Sequence, residues 1–82
     1  MIRILFFASI RDRLGVAETS IDTVPATVGD LREQLAARGA EWADVLGTDS
    51  QVLAAVNQAM SGPDAGLADG DEVGFFPPVT GG

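Results

Sequence analysis

The stretch Phe75-Phe76-Pro77-Pro78-Val79-Thr80-Gly81-Gly82 closes the chain, and each residue type in it has a chemical consequence. Pro77 and Pro78 fix φ and favour an extended course. Six residues laid out in this way reach about 20 Å. Val79 and Thr80 offer side chains for a partner to grip. Gly81 and Gly82 have no Cβ, so their backbone can enter a channel too narrow for any other residue. The α-carboxylate behind them is unhindered, but its reference pKa of about 3.3–3.7 keeps it ionised and a poor electrophile at neutral pH. Acyl chemistry at Gly82 therefore needs prior activation, most simply as an acyl-adenylate made from ATP. The chain carries no phosphate-binding loop, so the activating enzyme must be another protein.

The remaining side chains offer little chemistry. There is no His, Cys or Tyr, and all five basic residues are arginines, so lysine is absent too. Those four types supply most general bases and nucleophiles near neutral pH. Asp, Glu, Ser and Thr remain, none flanked by an activating partner, which argues against catalytic side chains and an independent active site. Without cysteine there is no disulfide framework and no thiolate metal site, which fits a reducing cytoplasm. Asp64, Asp69, Asp71 and Glu72 crowd one segment but lack the spacing of a calcium loop and its distal bidentate Glu. Asp69-Gly70 reads instead as a turn. No bound metal or cofactor is expected. Arg11 and Arg13 flank the loop after the first strand and read as solvated or ion-paired.

A net charge of −7 excludes the clustered basic surface that nucleic acid demands and disfavours anionic membranes. A partner with a basic face suits it better. The opening residues up to Arg11 contain too short an apolar run for a signal peptide or a membrane span.

These residues need a scaffold, and 82 residues with 46% apolar content make one small domain. Alternation in "MIRILFFA" predicts a first strand, and "ETSIDTV" a second after a hairpin-sized gap. Thr27 caps a helix with Asp30 three residues on, and Val28, Leu31 and Leu35 share its apolar face. Gly39 is its natural stop. "EWADVLGTDS" reads either as a short helical turn or as a loop carrying Trp42 and Leu46 inward. "QVLAAVN" is a third strand, "QAM" extends it or pairs after a turn, and "EVGFF" is the last strand. This order predicts a small α+β roll of the β-grasp, ubiquitin-like kind. It has a mixed sheet of four to five strands and one main helix packed on one face. Residues 1–76 form the domain and 77–82 an extended tail, expected to stay mobile until a partner holds it.

Strand parity adds a surface. If Ile2, Ile4 and Phe6 face the helix, Phe7 faces away with Arg3 and Leu5. If Val73 and Phe75 face in, Phe76 faces out with Glu72. Met60 can join the two aromatics from the turn after the third strand. Exposed apolar patches of this sort mark contact surfaces.

The segments "ILFFASIRDRLG", "LAAVNQ" and "LADGDEVGFFPPVTGG" resemble, at matching separations, the small sulfur-carrier subunits of molybdopterin synthases, a branch of the ubiquitin-like carriers. The closing segment is the most specific of the three. The resemblance implies that Gly82 is adenylated by a ubiquitin-activating-like adenylyltransferase using ATP and magnesium. Gly82 then becomes a thiocarboxylate with sulfur from a separate donor protein. It further implies that the tail enters a large synthase subunit in a heterotetramer, where the sulfur attacks cyclic pyranopterin monophosphate. Acids and bases would belong to the large subunit, and Phe7, Met60 and Phe76 correspond to the family's apolar contact positions.

Three other readings compete. A carrier for thiamine or another sulfur-containing metabolite would keep the same tail chemistry. A protein modifier would end with Gly82 in an isopeptide bond. A plain binding module would use the Phe7/Phe76 face and leave the tail inert.

Overall fold

Alternation of burial along residues 2–6 sets the architecture. Ile2, Ile4 and Phe6 are buried, whereas Arg3 is exposed and Leu5 half-buried on the opposite face. The computed structural model describes residues 1–47 and 50–78. In chain order the elements are β1 (Ile2–Phe6), α1 (Ala8–Leu14), β2 (Glu18–Ile21), α2 (Val28–Ala36), α3 (Ala40–Leu46), β3 (Leu53–Val56), β4 (Ala59–Ser61) and β5 (Glu72–Phe76). The five strands form one mixed sheet in the order β2-β1-β5-β3-β4. Only the central β1–β5 pair is parallel, in the register Ile4↔Val73 and Phe6↔Phe75.

That register keeps the inward rows in phase. Ile2, Ile4, Phe6, Val73, Phe75 and Ala54 meet Ile10, Val28, Leu31, Leu35, Val45 and Leu46 in a single core. Each large apolar side chain fully buried here contributes about 1.5–3 kcal/mol. The Phe6 ring stacks on Phe75 with centroids 6.3 Å apart and meets Trp42 edge-on at 5.6 Å. Among the described residues no helix lies on the opposite face of the sheet.

The expectation of one main helix is corrected, because three helices cover the sheet. The hairpin-sized gap between the first two strands holds α1. Ile10 and Leu14, four residues apart, turn inward, and Gly15 closes the helix in the left-handed region at φ 76° with its N–H on the Arg11 carbonyl. Seven residues cannot sustain a helix alone, so docking decides it. The ambiguous segment after Gly39 is also helical. Trp42, Val45 and Leu46 in α3 fall at i, i+3 and i+4 and face the core. Gly39 does not end α2, whose C-cap is Ala37; it stands at the N-cap of α3 instead.

Arg32 ties α2 to the far end of α3. Its guanidinium donates to the carbonyls of Leu46, Gly47 and Ser50 at 3.2, 2.7 and 3.1 Å, satisfying the C-terminal end of α3. At the other end of α2, the Thr27 hydroxyl accepts from the Asp30 N–H at 3.2 Å, as the capping pattern predicts. The first-turn N–H groups of Val28 and Gly29 donate to Ala65 and Pro63 in the loop before β5.

The same loop is tied to the sheet through Asp71. Its carboxylate accepts from the Asn57 amide at 3.0 Å and the Ala68 N–H at 2.9 Å. The Asn57 side-chain oxygen accepts from the Glu72 N–H in return. These donors hold the Asp71 carboxyl below the usual aspartate range, the Asn57 amide being the larger cause. Asn57 and Gln58 form the two-residue β3–β4 turn, both with positive φ, at 50° and 72°. Glycine is favoured at the second position of such turns.

Two outcomes are expected. Gln58→Gly raises the urea midpoint at unchanged m-value, a gain of about 0.5–1 kcal/mol in stability, because relief of a left-handed non-glycine residue, about 1–2 kcal/mol, is partly offset by the greater entropy glycine loses on folding. Because the native Asp71 pKa is depressed, its stabilisation is complete above the unfolded value of about 3.9 and is lost as pH falls through the lower native value. Unfolding midpoints measured between pH 5 and pH 2 therefore drop less steeply in Asp71→Asn than in the parent chain.

Candidate interaction face and C-terminal arm

The uncovered face of the sheet is built by the outward rows of five strands. Leu5 lies beside Gly74, Gly74 beside Ala55, and Ala55 beside Met60. One row further along, Leu53 lies beside Phe76. Phe7 follows β1 by one residue and continues its pairing, with its N–H donating to the Phe75 carbonyl at 3.1 Å. Ala8 then turns to φ 53°, which ends the strand and starts α1. Phe7 is thus held at a corner with its backbone engaged on both sides, since its carbonyl also accepts from Ile10.

Small residues in the middle of this face create relief. Gly74 has no side chain, and the Phe7 ring lies over it so closely that a Cβ there would stand 3.0 Å from the ring's Cε2. Leu5, Phe7, Ala55, Gln58, Glu72, Gly74 and Phe76 enclose a shallow depression of about 200 Å³. Phe7 is 45% exposed, Met60 64% and Leu53 36%, whereas Phe76 is half-buried. The three residues marked by parity therefore share one face, with Phe7 and Phe76 walling one depression and Met60 on the edge strand.

Parity also held a residue that the sequence reading did not extract. With Ala54 facing in, Leu53 must face out, and the structure sets it beside Phe76. Gly74 was legible in the same way, as the outward position between Val73 and Phe75.

One end of the face is charged. The Arg3 guanidinium donates to Glu18 at 2.9 Å and lies 3.3 Å from Glu72, bridging three strands on the outward side. The other carboxylates of the acidic segment are occupied separately. Asp69 pairs with the Met1 ammonium, which holds its carboxyl below the ordinary range, and Asp71 serves the loop described above. Among the described residues no three His, Cys, Asp or Glu side chains converge as metal ligands. Among them, too, no helix is long and apolar enough to cross a membrane. Arg13 joins α1 to α3 through Glu41, at 2.7 Å, and Asp44, while Arg11 lies 3.9 Å from Asp12.

β5 leads from Phe76 into Pro77 and Pro78, both half-buried. Pro77 lines a small hollow with Ser9, Ile10, Arg13, Val45, Ser50, Gln51 and Val52, so the base of the arm rests between α1 and the lead-in to β3. The predicted tail positions Val79, Thr80, Gly81 and Gly82 lie outside the described residues.

The ThiS family model matches residues 4–82. The molybdopterin synthase sulfur carrier subunit of Escherichia coli is 49% identical over 82 residues, covering all of both chains. That of Haemophilus influenzae is 40% identical over the same full length. Among solved structures, SAMP1 from Haloferax volcanii superposes with a TM-score of 0.79 at 28% identity, covering 99% of this chain and 98% of that one.

Gly74→Ala tests the closeness of this packing. The added methyl must displace the Phe7 ring, which is free to move outward because it is partly exposed. The expected result is a stability change below about 1 kcal/mol, since no buried contact is lost, together with an altered Phe7 ring environment by NMR. A cost of several kcal/mol in urea melts would show instead that Phe7 is part of the core.

Proposed function

This chain belongs to the ThiS family, and from that premise we propose that it is the sulfur carrier subunit of a molybdopterin synthase, working in the cytoplasm. The observation that carries the reading is the coupling of face and arm. β5 sets Phe76 on the uncovered face and runs directly into Pro77. A partner that covers Phe7, Leu53, Met60 and Phe76 therefore receives the arm at a defined edge of its contact. Full-length identity to the Escherichia coli subunit supports the pathway.

In this reading Gly82 carries the chemistry and no side chain of the chain is catalytic. A ubiquitin-activating-like adenylyltransferase, using ATP and magnesium, joins the Gly82 carboxylate to AMP and releases pyrophosphate. Sulfide-level sulfur from a donor protein then adds to the Gly82 carbonyl carbon; the C–S bond forms, the C–O bond to AMP breaks and AMP leaves, so that Gly82 ends in a thiocarboxylate. Val79, Thr80 and Gly81 thread a channel of the large subunit, with Pro77 and Pro78 setting the direction. There the thiocarboxylate sulfur attacks cyclic pyranopterin monophosphate, and two such transfers complete a dithiolene. General acids and bases come from the large subunit, which suits a chain without His, Cys, Lys or Tyr. The apolar face desolvates on docking, and the acidic rim at Glu18 and Glu72 meets basic groups of the partner.

The likeness to SAMP1, whose relatives are described as small archaeal modifier proteins, favours one second reading, in which Gly82 is joined to a target lysine. Intact mass of the protein from its native cell, with fragmentation of the last residues, separates the two. Exchange of one oxygen for sulfur at Gly82 is the expected outcome, and deletion of Gly82 abolishes it without shifting the urea midpoint. A branched peptide joining Gly82 to a lysine would establish the modifier instead. A plain carboxylate that incubation with ATP and the activating enzyme leaves unchanged would overturn both.

A further inference from the structure

We propose that this chain offers its own activated C-terminus no side-chain amine or thiol to attack, so that the acyl group survives until the sulfur donor arrives. The inference rests on the activation of Gly82 proposed above. An acyl-adenylate is open to any nearby amine or thiol. The nitrogen adds to the Gly82 carbonyl carbon, a C–N bond forms, the C–O bond to AMP breaks, and the nitrogen releases a proton to water. An amine on the same chain within reach of the tail acts at a millimolar effective concentration and competes with the intended transfer.

Three observations remove that competitor. All five basic residues are arginines, whose guanidinium stays protonated and is a poor nucleophile, and cysteine and histidine are absent. A second copy of the chain therefore offers no side-chain amine either. The one amine left, the α-ammonium of Met1, is ion-paired with Asp69. The topology also sets it at the wrong end. β1 and β5 run parallel, and Gly70 donates to the Met1 carbonyl at 2.8 Å, so Met1 stands at the start of β5 and the tail leaves from its finish. About 20 Å of strand separates the two. The tail would have to reverse at Pro77 and use its whole length to return.

The experiment uses the full chain as a Gly82 thioester, released from an intein fusion by a small thiol, so that no activating enzyme is needed. Lysine is introduced near the base of the arm by Ser9→Lys and, on a different element lining the same hollow, by Gln51→Lys; both positions are exposed. Ala68→Lys, exposed and next to Asp69, places the amine at the far end. Circular dichroism checks the fold of each variant. The parent and Ala68→Lys are expected to end as free acid. Ser9→Lys and Gln51→Lys are expected to give a hydroxylamine-resistant species lighter than the acid by one water, at least about tenfold more abundant than in Ala68→Lys, because effective concentration falls steeply where a linker must be fully extended to span. A parent chain that closes onto Met1, or near-site variants that yield only free acid, would overturn the proposal. Failure of the sulfur-carrier reading is seen separately, in the mass of the native Gly82 end.

Discussion

The parallel pairing of β1 with β5 is the constraint on which the rest of the structure depends. Its register, Phe6 beside Phe75 and Ile4 beside Val73, brings two inward rows from opposite ends of the chain into phase. A slip of one residue would turn each row to the wrong face, because side chains alternate with a period of two. The same register fixes where the chain ends go. The N-terminal end of β1 lies beside the acidic turn before β5, and the C-terminal end of β5 leaves from the corner where Phe7 is held.

Everything inward of the sheet is devoted to burial, and the helices show how. None of the three exceeds nine residues, a length with little stability in isolation. They persist because each lays two or three apolar side chains on the sheet and because their ends are satisfied locally. Arg32 answers the carbonyls at the end of α3, and Pro63 and Ala65 answer the N–H groups at the start of α2. Arg38 adds a cation–π contact over Trp42 at 5.0 Å. On the uncovered face the Phe7 ring lies over Gly74 and, with Ala55 and Phe76, borders the shallow depression.

The two faces thus divide the labour. The helix-covered side holds the fold together, and the open side presents Phe7, Leu53, Met60 and Phe76 with the arm at its margin. A chain so poor in reactive side chains can serve acyl chemistry through its backbone terminus alone. In the proposed function, docking of this face and delivery of the C-terminus are one event.

Much of this was legible in the residues themselves. Alternation in Ile2–Phe7 and Glu72–Phe76 set which aromatics face outward, since parity is a local property of extended backbone. Thr27 and Asp30 marked the start of α2. The sequence alone did not disclose α1 and left α3 open between a helical turn and a loop, because seven-residue segments take their conformation from the surface they dock on. Nor did it show that α2 ends at Ala37 and that Gly39 opens α3, a boundary that goes with the docking of Trp42, Val45 and Leu46 on the core. The placing of Leu53 beside Phe76, of the Phe7 ring over Gly74 and of Met1 at the far end from the arm likewise required the folded sheet. Local composition determined what the terminus could do; strand pairing across some seventy residues decided what would stand beside it.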